Sequence, residues 1–139
     1  MPRPIAALLL GLAVAAAMLL ATECLGLLLF PPPSGFPLET GEDLVRLAAS
    51  AAPGRRSLMA AGWMLAAFAG GFTAARISRH HHTGMALAVG TLVAAGIALN
   101  ALVLPQSPWM TLAGLLLPLP VAWLAARLAT KRRPHSPEG

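Results

Sequence analysis

In this chain of 139 residues, 57% apolar side chains, only 11% charged ones and a mean hydropathy of +0.71 leave too little polar surface for a water-soluble domain. The same figures exclude an intrinsically disordered chain, which is poor in apolar residues and rich in charge. The formal charge of +5 does not point to nucleic acid, because the basic residues flank apolar blocks and form no continuous stripe with interleaved aromatics.

The apolar blocks run Ile5–Phe30, Leu58–Ala75, Met85–Leu104 and Trp109–Leu128. The last three hold about 18–20 residues each, the length that crosses a hydrocarbon core of ~30 Å at 1.5 Å per residue. The first is longer, ~39 Å as a helix, and must tilt or project beyond the bilayer. It reads as a retained span: it is too long for the core of a secretory signal and has no small-residue exit before a soluble domain. Glu23, directly before Cys24, also occupies a place that a lipoprotein signal reserves for a small residue.

The apolar runs are continuous, which favours helices over an alternating barrel strand. The expected fold is therefore all-α, an integral membrane bundle of four helices in a single domain over residues 1–133, with a disordered polar tail over 134–139. Pro31, Pro32 and Pro33 stop the first helix, and Pro105 and Pro108 bracket the turn before the fourth span. Pro118 and Pro120 fall inside that span and should kink it.

Residues 31–57 form the one long loop. Thr40 and Asp43 have the spacing of a helix N-cap box, followed by Leu44, Leu47, Ala48 and Ala51 at helical intervals. This pattern predicts a short amphipathic helix, ended by Pro53-Gly54, lying on the membrane surface or capping the bundle. Basic residues set the orientation. With the N-terminus inside, Arg3, Arg76, Arg79, Arg127, Lys131, Arg132 and Arg133 are cytoplasmic, against Arg46, Arg55 and Arg56 outside. The bias predicts both termini in the cytoplasm and the long loop in the periplasm of a bacterial inner membrane.

Small residues recur at four-residue intervals. The rows are Gly62, Ala66, Gly70 and Ala74; Ala67, Gly71 and Ala75; and Ala86, Gly90, Ala94 and Ala98. Such rows let backbones approach closely in lipid, where packing replaces the hydrophobic drive. Packing within one bundle is the expectation, and a dimer interface the alternative.

Glu23 is the polar residue that most needs a reason, since an ionisable group inside a span is costly without a partner or water. Asn100 lies at a comparable depth on the third span, and Arg55 and Arg56 open the second span at the same end. Glu23, Asn100 and Arg56 thus form a candidate polar intramembrane site. It acts either as a hydrogen-bonded pin between helices or as a transport site, unless the long first helix carries Glu23 out to the headgroups. His80, His81 and His82 read as an exposed loop, because adjacent imidazoles on one helix diverge and cannot share a metal. Trp63, Trp109 and Trp123 read as interfacial anchors. Cys24 is the only cysteine, which excludes an intramolecular disulfide and a cysteine-rich metal site. No phosphate-cradling loop, carboxylate pair or nucleophile–base arrangement is present, so neither an enzyme nor a cofactor is expected.

The order of these motifs resembles a family of uncharacterised bacterial four-helix membrane proteins. The shared features are the membrane Glu23, Phe-Pro-Pro-Pro-Ser-Gly at 30–35, Ala61-Gly62-Trp63 through Gly70-Gly71, Ala74-Ala75-Arg76, and the turn from Asn100 through Leu104-Pro105 to Pro108-Trp109. The resemblance implies fold and membrane location, and no activity. In that family the last turn usually reads Pro-His-Pro-Trp, whereas Gln106-Ser107 separates the prolines here, which favours a structural turn. The expected function is that of a non-enzymatic accessory or assembly partner in the lipid bilayer, paired with another membrane protein or with itself. The alternative is a small carrier or channel built on Glu23 and Asn100.

Overall fold

The continuous apolar blocks all fold as helix, as backbone that must satisfy its own hydrogen bonds in lipid requires. The structure, a computed structural model, describes residues 2–37 and 39–131. Arg132, Arg133 and the tail 134–139 lie outside the described residues. The described residues form six helices and no strand: α1 (Pro2–Leu29), α2 (Gly41–Ala49), α3 (Pro53–Ile77), α4 (His82–Val103), α5 (Pro108–Leu116) and α6 (Pro118–Lys131). Among the described residues four stretches are long and apolar enough to cross a membrane, namely α1, α3, α4 and α5 with α6 taken together. The all-α bundle expected from the sequence is the fold observed.

Proline accounts for the main departures from the expected boundaries. The second span begins at Pro53 rather than Leu58, with Pro53 in the first turn of α3. Proline suits that position because its φ is already helical and its missing N–H would have had no partner there. Pro53-Gly54 therefore opens a helix instead of ending one, and Arg55 and Arg56 stand on its first turn. In the fourth span Pro118 removes a donor from the ladder, and α5 gives way to α6 after Leu117. Helical pairing resumes within a turn, since Val121 N–H donates to the Leu117 carbonyl at 3.1 Å.

The expected short helix is present as α2. Thr40 Oγ1 accepts from the Asp43 N–H at 3.3 Å, and Asp43 Oδ2 accepts from the Thr40 N–H at 3.0 Å, the reciprocal pair of a capping box. The chain leaves α2 at Ser50, ahead of Pro53.

Most of the side chains buried inside the bundle are small, and many large ones face out. Ala66, Ala67, Ala74, Ala86, Ala122, Ala125 and Ala126 are fully buried, whereas Leu20, Leu28, Leu99, Leu102 and Leu116 are exposed. In water such a surface would aggregate; in a bilayer it is ordinary, and small residues are what let the helices approach. The small-residue rows all turn inward. A β-carbon at Gly70 would lie 2.6 Å from the Gly11 carbonyl of α1 and 2.9 Å from Val89 of α4. One at Gly62 would collide with Thr22 of α1. Gly71 faces Ala122 of α6 at 3.4 Å, and Gly90 faces Ala122 and the Pro118 carbonyl. Helix α3 is thus clasped between α1 and α6, with α4 closing both sides. The three rows serve packing within one chain.

Three span hydroxyls are satisfied locally, as lipid demands. Thr22, Thr73 and Thr91 donate to the carbonyls of Met18, Ala69 and Leu87, each at 2.8 Å. Trp63 departs from its expected role: it is 6% exposed and belongs to the core with Val93, Ile97 and Met110. Because α3 starts at Pro53, Trp63 sits well inside the span and not at its end. Trp109 and Trp123 are exposed, and the Arg127 guanidinium lies 4.1 Å from the centre of the Trp123 ring.

Candidate functional site

Helices α1 and α4 touch where Gly11 meets Val89, and further toward the α2 end they enclose a cavity of about 740 Å³. One face of each helix supplies its walls at helical spacing. From α1 come Leu12, Ala15, Ala16, Leu19 and Glu23, and from α4 come Leu92, Val93, Gly96, Ile97 and Asn100. Met59 and Trp63 of α3 form the back wall with Met110 of α5, and Leu44, Leu47 and Ala48 of α2 lie over the top. Ala16, Leu92 and Gly96 are exposed on the seam between α1 and α4, so the cavity opens sideways. A β-carbon at Gly96 would meet no atom within 4 Å.

The deep wall is apolar and the polar groups gather at the α2 end. Glu23, Arg55, Arg56, Asn100 and Gln106 all line the cavity. Glu23 and Arg55 form an ion pair at 3.8 Å, with the Arg55 side chain 13% exposed and that of Glu23 47% exposed. At that separation the attraction is between charges without a direct hydrogen bond. Glu23 therefore stays within the bundle's length and faces open volume beside a cation; it is not tucked into a dry contact.

Arg56 has a different task from the one expected of it. Its guanidinium donates to Ser107 Oγ at 3.0 Å and to the Ala49 carbonyl at 3.0 Å. Ala49 ends α2 and Ser107 precedes α5, so Arg56 straps both to the first turn of α3. A cation at the last carbonyl of a helix is also favoured by the helix dipole. The structure thus brings Glu23, Asn100 and Arg56 to one cavity, and pairs Glu23 with Arg55.

Gln106 is a site residue that sequence reasoning passed over, treating it only as part of a turn. Its Oε1 is buried and accepts no hydrogen bond among the described residues. The lining contains one carboxylate, two guanidiniums and two amides, and among the described residues it contains no hydroxyl, thiol or imidazole. Such a set can hold a charged or hydrogen-bonding head; it offers no nucleophile with a base beside it.

At the opposite end, the Nδ1–H of His82 donates to the Ala75 carbonyl at 2.7 Å, while His80 and His81 are exposed. Among the described residues no group of three His, Cys, Asp or Glu side chains could hold a metal ion. Cys24 is a free thiol on the outward face of α1. The helix-packing residues Gly62, Gly70, Gly71 and Gly90 lie in the interfaces already described, outside the cavity lining. Comparison with protein families, curated proteins and solved structures finds no match to this chain.

Proposed function

We propose that this chain is a non-enzymatic multi-pass protein of a bacterial inner membrane, acting as an accessory or assembly partner by receiving an apolar or amphipathic guest in the cavity at its α2 end. The observation that carries this reading is the cavity, with its apolar depth, its polar head and its opening toward the surroundings between α1 and α4. Its volume falls in the ~300–1,000 Å³ range of small-molecule pockets. The bias of basic residues toward Arg3, Arg76, Arg79, Arg127 and Lys131 supports cytoplasmic termini, which puts the α2 end at the periplasmic face.

The carrier reading draws on Glu23 and Asn100, which line the same cavity, and on the exposure of the Glu23 side chain. Against it stands the close packing of Gly11, Gly70 and Val89, beyond which the cavity does not continue. Proton and cation flux in proteoliposomes separates the two. A binding protein gives no flux above empty vesicles, with wild type and Glu23→Gln alike. A wild-type flux that disappears in Glu23→Gln overturns the binding reading in favour of the carrier.

A further inference from the structure

We infer that the guest is a single anionic phospholipid of the leaflet at the α2 end, its phosphate held by Arg55 and Arg56 and one acyl chain laid between α1 and α4. This inference rests on the binding reading above and names its ligand. Three observations carry it.

The first is depth. The α1 wall runs from Leu12 to Glu23, about 16 Å of helix, which is one leaflet of a ~30 Å hydrocarbon core. A cavity of that length, polar at the α2 end and apolar below it, has the reach of one acyl chain. Its side opening faces the position from which a lipid would enter.

The second is charge. The head of the cavity carries two guanidiniums and one carboxylate, a net single positive charge. Arg56 donates to two neutral oxygens, which leaves its charge without a counterion in those contacts. Arg55 faces Glu23 at 3.8 Å, too far for a hydrogen bond, so its donors can still turn to a phosphate. One phosphodiester, with a single negative charge, balances the set.

The third is Gln106. Its buried Oε1 lacks a donor among the described residues, and a buried acceptor left so is costly. A headgroup hydroxyl beyond the phosphate would supply that donor. A glycerol headgroup has hydroxyls to give; a choline headgroup has none.

Trp63 reports on occupancy, because it lines the cavity yet is only 6% exposed to the surroundings. The experiment uses the full chain with Trp109→Phe and Trp123→Phe, in phosphatidylcholine vesicles, with phosphatidylglycerol brominated on one acyl chain added at rising mole fraction. Bromine quenches indole at short range, so saturating quenching at low mole fraction is expected, with brominated phosphatidylcholine much weaker. Arg56→Gln should raise the half-saturating fraction about tenfold, the loss of one charge-assisted hydrogen bond. Gln106→Leu, which leaves the Arg56 strap intact, should narrow the preference for glycerol over choline. Gly96→Phe, placed where a β-carbon meets open space, should abolish the saturable part while thermal unfolding stays unchanged. Quenching that rises linearly and equally for both lipids, unmoved by Gly96→Phe, would overturn the inference, as would displacement by soluble glycerol phosphate. Such a failure without ion flux leaves a different guest; ion flux that depends on Glu23 removes the binding reading itself.

Discussion

Two acidic residues show how differently this chain accommodates a carboxylate. Glu23 lies about 9 Å along α1 from its end and keeps a loose ion pair beside open volume. Asp43 instead accepts from Thr40 Oγ1 at 2.9 Å and from the backbone N–H groups of Thr40 and Glu39. The Thr40 hydroxyl, those two N–H groups and the nearby Arg46 outweigh desolvation and hold the Asp43 carboxyl below its ordinary value of 3.8. A depressed carboxyl stabilises the folded form above its unfolded value and loses that contribution as pH falls through the folded one. Hydrogen exchange over Gly41–Ala49, corrected for intrinsic rate, should thus hold steady from neutral pH down to the ordinary carboxylate range and accelerate only below it. Thr40→Ala should speed exchange there at neutral pH, in keeping with a cap worth ~1 kcal/mol. Equal protection in both proteins would mean that α2 is held by contacts with the bundle and not by its cap.

At the scale of elements, the glycines separate into those that leave no room for a β-carbon and those that would accept one at ordinary contact distance. Gly70 lies against the Gly11 carbonyl and Val89 across two interfaces, whereas Gly71 has an ordinary contact distance to Ala122. Gly70→Ala should therefore be strongly destabilising and Gly71→Ala nearly neutral, although leucine at either position should separate helices. Thermal unfolding in detergent decides this, and similar losses for the two alanine variants would contradict the packing. These rows were legible in the sequence, because a four-residue period of small side chains is a direct statement about a helix face. So was the capping box of α2, a local pattern that needs no tertiary contact. The start of α3 was not: Pro53-Gly54 reads equally as a helix end or a helix opening, and in the structure it opens α3 with the Phe30 ring lying over Gly54. Trp63 was misplaced for the same reason, since its depth depends on where the helix begins.

Seen whole, the molecule has unlike halves. Toward the termini, Ala75, Ala86, Ala126 and Ala129 pack closely, and Arg76, Arg127 and Lys131 lie at that end. Toward α2 the helices part around the cavity, and its polar residues lie at the head. The sequence grouped Glu23, Asn100 and Arg56 from depth alone, with Arg55 noted only as opening the second span at the same end. It did not show the cavity, because Leu12, Leu19, Leu92 and Gly96 look like any lipid-facing residues until two helices are placed side by side. The choice between Arg55 and Arg56 for Glu23 likewise turns on α2 and Ser107, which claim Arg56. The most direct measurement of a working cavity is photocrosslinking in native membranes, with a benzophenone side chain at Leu92 on the rim or at Leu99 on the outward face of the same helix. Intact-mass readout should find one discrete adduct from position 92 that Gly96→Phe removes, and only mixed bulk-lipid adducts from position 99. Identical adducts from both positions, indifferent to Gly96→Phe, would contradict a guest-binding role for this end of the bundle.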